Sequence, residues 1–369
     1  MVSAVASTRD TGPAQSFGAR TVSGLQALFP WRPVVLPWLV SRALCAGVIM
    51  CATSWPFGDG LRFWGFQRWD GVWYTAIARD GYGALPVGDL QTRWPFFPLL
   101  PGLMHGFGEI GIGDQAATVI LNELVLLLAF AGVYRIARRH ASTEASVLAV
   151  WALALFPASF LFSMIYPSSI FLAASVWAFV LVEDRRDIGA AAVVAGATMV
   201  RPNGILLVLA IAVALRSWRR IALVCTPAVV LVAAWCAWLW DRTGDPIVFW
   251  NAKSAWPEVT VFDLFVEPWR YDYAWPHFLL GVAAAWVVWR QRRRLPVSWI
   301  VWTGLLLLVP MYSGIVGLGR YANECFPPFV AAGQVLERWS PRARRIAFGL
   351  SVAGLLFAAV MVIRYDRIP

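Results

Sequence analysis

Residues Ile188 to Leu215 read IGAAAVVAGATMVRPNGILLVLAIAVAL, an apolar stretch longer than one membrane crossing and broken once, at Arg201-Pro202-Asn203-Gly204. A crossing helix needs about 20 apolar residues. Proline has no amide hydrogen and glycine tolerates a tight reversal, so the break divides the stretch into two short arms that meet near the outer face. The turn brings an arginine to membrane depth, where a guanidinium needs an anion. A lipid phosphate approached from the bilayer would serve, and so would a carboxylate on a neighbouring helix.

The whole chain repeats this texture. Its 369 residues are 59% hydrophobic and 14% charged, with a mean hydropathy of +0.63. Such a composition excludes a soluble domain and predicts an all-α polytopic membrane protein. About eleven apolar runs are long enough, or nearly so, to span. The net charge of +10 does not point to nucleic acid, because the basic residues are scattered between apolar segments without interleaved exposed aromatics. Five cysteines, Cys45, Cys51, Cys225, Cys236 and Cys325, lack Cys-x-x-Cys spacing, so neither a disulfide framework nor a zinc site is indicated.

Charge sets the expected topology. With the N-terminus in the cytoplasm, clusters such as Arg135, Arg138 and Arg139, Arg216, Arg219 and Arg220, and Arg292 to Arg294 all fall inside, as the positive-inside rule requires. Residues 1–30, rich in Ser, Thr, Gly and Ala, are expected to form a mobile cytoplasmic tail, and 31–369 a single transmembrane domain. The proline-containing stretch Trp94 to Phe107 is too short to span and is read as interfacial or re-entrant. The first outer loop then runs over 54–115 and a second over 241–275, whose aromatics suit the headgroup region. Arg62, Arg68, Arg79 and Arg93 lie in the first loop against the charge rule, which suggests an anionic ligand there.

Within that loop, Arg68-Trp69-Asp70-Gly71-Val72-Trp73-Tyr74 sets one acid among aromatic rings. If the segment is helical as far as Gly81, three- and four-residue spacing puts Asp70, Trp73, Tyr74 and Ile77 on one face. A helix N-terminus favours negative charge, and a carboxylate there can accept a proton from a sugar hydroxyl or simply cap the helix. Trp69, Trp73, Tyr74 and Trp94 offer flat faces to a sugar ring or an isoprenoid chain. Asp80 and Asp89 are possible second acids. With these acids nine or more residues apart, and only three histidines in the chain, no metal is expected.

Downstream, Gly319-Arg320-Tyr321 places a second cation at an outer helix end, with Glu324 one turn on. Arg320 could reach the same phosphate as Arg201, or pair with Glu324 along the helix. Arg42, Asn122 and Glu123 also fall within spans and are expected to face the bundle interior.

Taken together, Arg68-Trp-Asp-Gly-Val-Trp-Tyr-Thr-Ala-Ile-Ala-Arg-Asp-Gly-Tyr82, Pro95-Phe-Phe-Pro-Leu-Leu-Pro101, Phe156-Pro-Ala-Ser-Phe160, Arg201-Pro-Asn-Gly204 and Arg320-Tyr321 with Phe326-Pro327 resemble the PIG-V family of mannosyltransferases. The resemblance covers residues 33–337. It implies a GT-C glycosyltransferase fold and transfer of mannose from a polyprenyl-phosphate donor on the extracytoplasmic side of a bacterial plasma membrane, without a cofactor. It further implies that Asp70 is the base and that Arg201 and Arg320 are candidates for the donor phosphate; the loop arginines Arg68 and Arg93, with Asn203 and Tyr321, complete the expected donor-binding set. The acceptor would be a glycolipid, a glycan or a protein. One departure is Pro167-Ser168-Ser169 after Tyr166, where family members often carry an acid. Transfer of glucose or arabinose on the same scaffold is the nearer alternative; a lipid or solute transporter is the alternative of another class.

Overall fold

A computed structural model of the chain describes residues 26–54, 66–83, 90–256 and 259–365. Most of the expected N-terminal tail, the start of the first outer loop and Asp89 lie outside these residues. Among the described residues every regular element is helical. In chain order the α-helices are α1 (Leu36–Ser54), α2 (Asp70–Asp80), α3 (Leu99–Glu109), α4 (Asp114–His140), α5 (Thr143–Ala154), α6 (Ser168–Glu183), α7 (Asp187–Val200), α8 (Gly204–Ala214), α9 (Trp218–Thr243), α10 (Val248–Asn251), α11 (Val261–Val266), α12 (Trp275–Gln291), α13 (Val297–Ser313), α14 (Leu318–Glu324), α15 (Phe326–Leu336) and α16 (Pro341–Tyr365).

Among the described residues four helical segments are long and apolar enough to cross a membrane: Trp31–Cys51, Asp114–His140, Trp218–Thr243 and Pro341–Val362. Five shorter apolar helices pack among them: Ser168–Glu183, Asp187–Val200, Gly204–Ala214, Val297–Val309 and Phe326–Leu336. The apolar run over residues 145–165, which reads as one straight span, is instead bent by 71° between α5 and a short 3-10 helix, Pro157–Ser163. Pro157 is the cause, since it cannot continue the hydrogen bonding of α5.

Local chemistry sets the helix ends. α4 opens on Asp114 and closes on Arg138, Arg139 and His140, acid and bases placed to complement the helix dipole. Ser142 caps α5 by accepting from the Ala145 amide at 3.0 Å. Gly244, at φ 73°, ends α9 in the left-handed conformation that a β-carbon disfavours.

α4 to α8, α13 and α15 enclose the main apolar core, which includes Leu126, Phe130, Phe162, Phe171, Phe179, Trp299, Trp302 and Phe326. Burying each such side chain is worth about 1.5–3 kcal/mol relative to water. In a bilayer, where lipid is equally apolar, close packing matters more. A close approach fixes the Arg201 turn. A β-carbon on Gly204 would lie 2.6 Å from the Thr198 Cα, so only glycine lets α8 fold back on α7.

The described part of the 54–115 segment, expected to be the first outer loop, holds two helices. α2 packs on α3, and α3 on α4. Tyr74, Ile77, Phe96, Leu100 and Met104 form a small core between them. Leu103, Ile110 and Ile112 remain exposed.

Candidate active site

Asp70 is held by strain and by contacts. Trp69, directly before it, has φ 39° and ψ −110°, a conformation that a side-chain-bearing residue rarely adopts and that marks a place where surrounding contacts override local preference. Those contacts come from residues 164–166. The Ile165 amide donates to the Phe66 carbonyl at 2.7 Å, and the Asp70 amide donates to the Tyr166 hydroxyl at 3.2 Å. A β-carbon on Gly71 would sit 3.1 Å from the Ile165 carbonyl oxygen. The 164–166 turn is itself fastened by Asn122, whose amide donates to the carbonyls of Met164 at 2.8 Å and Tyr166 at 3.0 Å.

Behind the turn lies a buried polar relay. Arg42 donates to the Ser159 carbonyl and to Ser163 Oγ, and Ser163 donates to Glu123 Oε1 at 2.6 Å. Arg42 and Glu123 thus share one inward-facing network, with Ser163 standing between the charged pair, while Asn122 fastens the adjoining turn. It secures the platform on which Asp70 rests.

The carboxylate meets an arginine 250 residues away: Asp70 Oδ2 lies 2.5 Å from Arg320 Nη1. Arg320 is flanked by the rings of Tyr166 at 5.6 Å and Tyr321 at 5.5 Å. Arg201 lies 6.0 Å from the other tyrosine of this pair, Tyr321, and donates to both oxygens of Glu324 at 2.6 and 2.5 Å. Arg320 therefore pairs with Asp70 and not, as helical spacing allows, with Glu324; Arg201 takes that acid from across the bundle. Burial, partly offset by Arg201, raises the pKa of the Tyr74 phenol above its ordinary value and keeps it protonated.

These groups open on one cavity of about 840 Å³, lined by Trp69, Asp70, Tyr74, Arg201, Asn203, Arg320 and Tyr321 among others. The remaining candidates lie elsewhere. Arg68 is not in the cavity wall. Trp73 packs against Phe96 and Trp256. Trp94 is buried among Tyr82 and Trp238. Arg93 binds the Gly81 carbonyl at 2.8 Å and Asp80 at 3.2 Å, which sets Asp80 in a surface ion pair outside the wall.

The 241–275 segment, expected from composition to lie along the headgroups as a second outer loop, supplies much of the cavity wall. Trp250, Lys253, Trp256, Trp269, Asp272 and Tyr273 all face the cavity. A signal was present in the sequence: Lys253 is the sole lysine among 31 basic residues. Among the described residues no three His, Cys, Asp or Glu side chains gather where they could hold a metal ion.

Two solved structures share this architecture. The oligosaccharyltransferase of Archaeoglobus fulgidus in its apo form superposes with a TM-score of 0.52 at 13% identity, covering 93% of this chain and 57% of that one. ArnT from Cupriavidus metallidurans, bound to undecaprenyl phosphate, superposes with a TM-score of 0.53 at 16% identity, covering 86% of this chain and 62% of that one. The fold is that of the GT-C glycosyltransferases. The chain spans about three-fifths of the length of either structure. The family model described as dolichyl-phosphate-mannose-protein mannosyltransferase matches residues 95–240, a segment that contains Arg201 and Asn203 but neither Asp70 nor Arg320. No curated protein sequence matches.

Proposed function

We propose that this membrane protein is a glycosyltransferase that moves a sugar from a polyprenyl-phosphate carrier to an acceptor hydroxyl, with Asp70 as general base. The observation that carries the reading is one cavity in which a carboxylate, Asp70, stands beside Arg320, Arg201 and Lys253. Such a set meets both needs of the reaction. The carboxylate takes the proton of the attacking hydroxyl as the new bond forms at the anomeric carbon. The cations stabilise the phosphate oxygen that leaves with the bonding electron pair, on the face opposite the attack, so the configuration inverts.

ArnT supports the carrier, since its structure holds undecaprenyl phosphate. The family model supports mannose as the sugar, and the resemblance to PIG-V points the same way. The acceptor is a glycolipid, a glycan or a protein. The site faces the extracytoplasmic side of a bacterial plasma membrane, with the N-terminus cytoplasmic, a reading supported by the distribution of arginines.

Purified protein incubated with radiolabelled polyprenyl phosphomannose and membrane glycolipid should move label to the glycolipid. Parallel reactions with the glucose and arabinose donors decide the sugar. Label that stays on every donor, across membrane glycolipid, polysaccharide and protein acceptors, overturns the reading and favours transport. Asp70→Asn should lower the rate by about 10² or more; near-normal turnover in that variant removes Asp70 from the chemistry. Labelling of single cysteines beside Trp69 from the cytosol would refute the assigned side.

A further inference from the structure

Two arginines of the cavity, Arg201 and Arg320, are tied to carboxylates of different kinds. Glu324, the partner of Arg201, is fully buried, with its side chain 0% exposed against 6% for Arg201, and it does not line the cavity. That pair is a fixed part of the wall. Asp70 and Arg320 both line the cavity, with side chains 23% and 14% exposed. A molecule entering the cavity can reach either of them.

The Asp70 oxygen bonded to Arg320 Nη1 already holds a donor, so an acceptor hydroxyl must displace that contact to reach it. The carboxylate assigned as the base is thus engaged by the guanidinium assigned to the phosphate. A phosphate competes well for that arginine, because the planar guanidinium offers it two parallel donors. Arg320 has donors to spare: only Nη1 bonds to Asp70, while Nε is buried without a hydrogen-bond partner. The rings of Tyr166 and Tyr321 confine the guanidinium, so it can turn toward a new anion without leaving its slot.

We infer that Arg320 passes from Asp70 to the donor phosphate, so that donor binding releases the base and the donor must arrive before the acceptor is activated. This inference rests on the proposed transfer from a polyprenyl-phosphate carrier. It orders the reaction: a hydroxyl entering first meets an engaged carboxylate, and a hydroxyl entering after the donor meets a free one. The tie between the two events is one side chain.

The test uses linkage. If Asp70 and a phosphate compete for Arg320, removing the Asp70 charge must tighten phosphate binding. Undecaprenyl phosphate is titrated into the purified full-length chain, its binding read by quenching of tryptophan fluorescence. Asp70→Asn should bind it roughly fivefold to tenfold more tightly than wild type. In an Arg320→Gln background the same change should alter affinity by less than about twofold, as expected for coupling carried by one contact. Asp272→Asn removes another carboxylate from the cavity and separates general charge from the specific pair: tightening equal to that of Asp70→Asn overturns the inference.

Equal or weaker binding by Asp70→Asn also overturns it, as does tightening that persists without Arg320, and in those cases the transferase reading stands. Absence of binding in wild type and all variants refutes the carrier reading and this inference together. Should Asp70→Asn not purify as a monodisperse species, Asp70→Ser is read in the same assay with the same expectations.

Discussion

Glu324→Gln isolates the cost of an unpaired charge in the wall of the cavity. The substitution keeps shape and one acceptor oxygen but leaves the Arg201 guanidinium, 6% exposed, without the carboxylate it now contacts at 2.5 Å. Breaking a buried pair from one side costs about 3–5 kcal/mol, because the remaining charge stays desolvated. For a chain of 369 residues, an unfolding entropy of about 2.1 cal/mol/K per residue converts each kcal/mol into about 1.3 °C. Glu324→Gln should therefore lower Tm by roughly 4–6 °C in a thermal melt followed by tryptophan fluorescence. The double variant Arg201→Gln with Glu324→Gln removes both charges and should recover most of the loss. A single variant within about 1 °C of wild type, or a double variant less stable than the single, would show that the pair is not buried as described.

Other outcomes follow from the same contacts. Tyr166→Phe removes the acceptor for the Asp70 amide and should reduce kcat roughly fivefold to tenfold, leaving the affinity for undecaprenyl phosphate within about twofold of wild type; an equal loss of affinity would instead assign Tyr166 to the support of Arg320. Gly204→Ala forces a β-carbon against Thr198 and should destabilise by about 1–3 kcal/mol in the same melt; an unchanged Tm would mean that the α7–α8 turn relaxes freely. In the 241–275 segment, hydrogen bonds from the Thr260 amide and hydroxyl hold the Asp263 pKa below its ordinary value. A depressed carboxylate contributes stability above its unfolded pKa and loses it as pH falls through the folded one. Residues 261–264 should therefore exchange amide hydrogens faster at about pH 3 than at about pH 6 once intrinsic rates are divided out, and Asp263→Asn should abolish the difference.

The parts of the molecule set by local chemistry were readable in the amino-acid order. The break at Arg201-Pro202-Asn203-Gly204 announces two arms and a buried cation, and Asp70 with Tyr74, four residues on, announces one helix face. Trp73 shows the limit of such reasoning: its spacing matches, yet Phe96 and Trp256 claim the ring. Spacing along a helix also offers Arg320 only Glu324, three to four residues away. The partner it takes lies 250 residues off, and only packing of α14 near the 164–166 turn could reveal it. The role of the 241–275 segment was hidden for a similar reason. Its tryptophans suit a membrane surface and a cavity wall equally well, and composition does not distinguish the two.

The distance along the chain between Asp70 and Arg320 has a bearing on biosynthesis. Ribosomes deliver the acid early and its arginine only after most of the helices have entered the bilayer, so a half-made chain holds an aspartate with no guanidinium to meet it. Final assembly of the bundle is thus the event that completes the ion pair, and a chain cut short before α14 carries Asp70 without its partner.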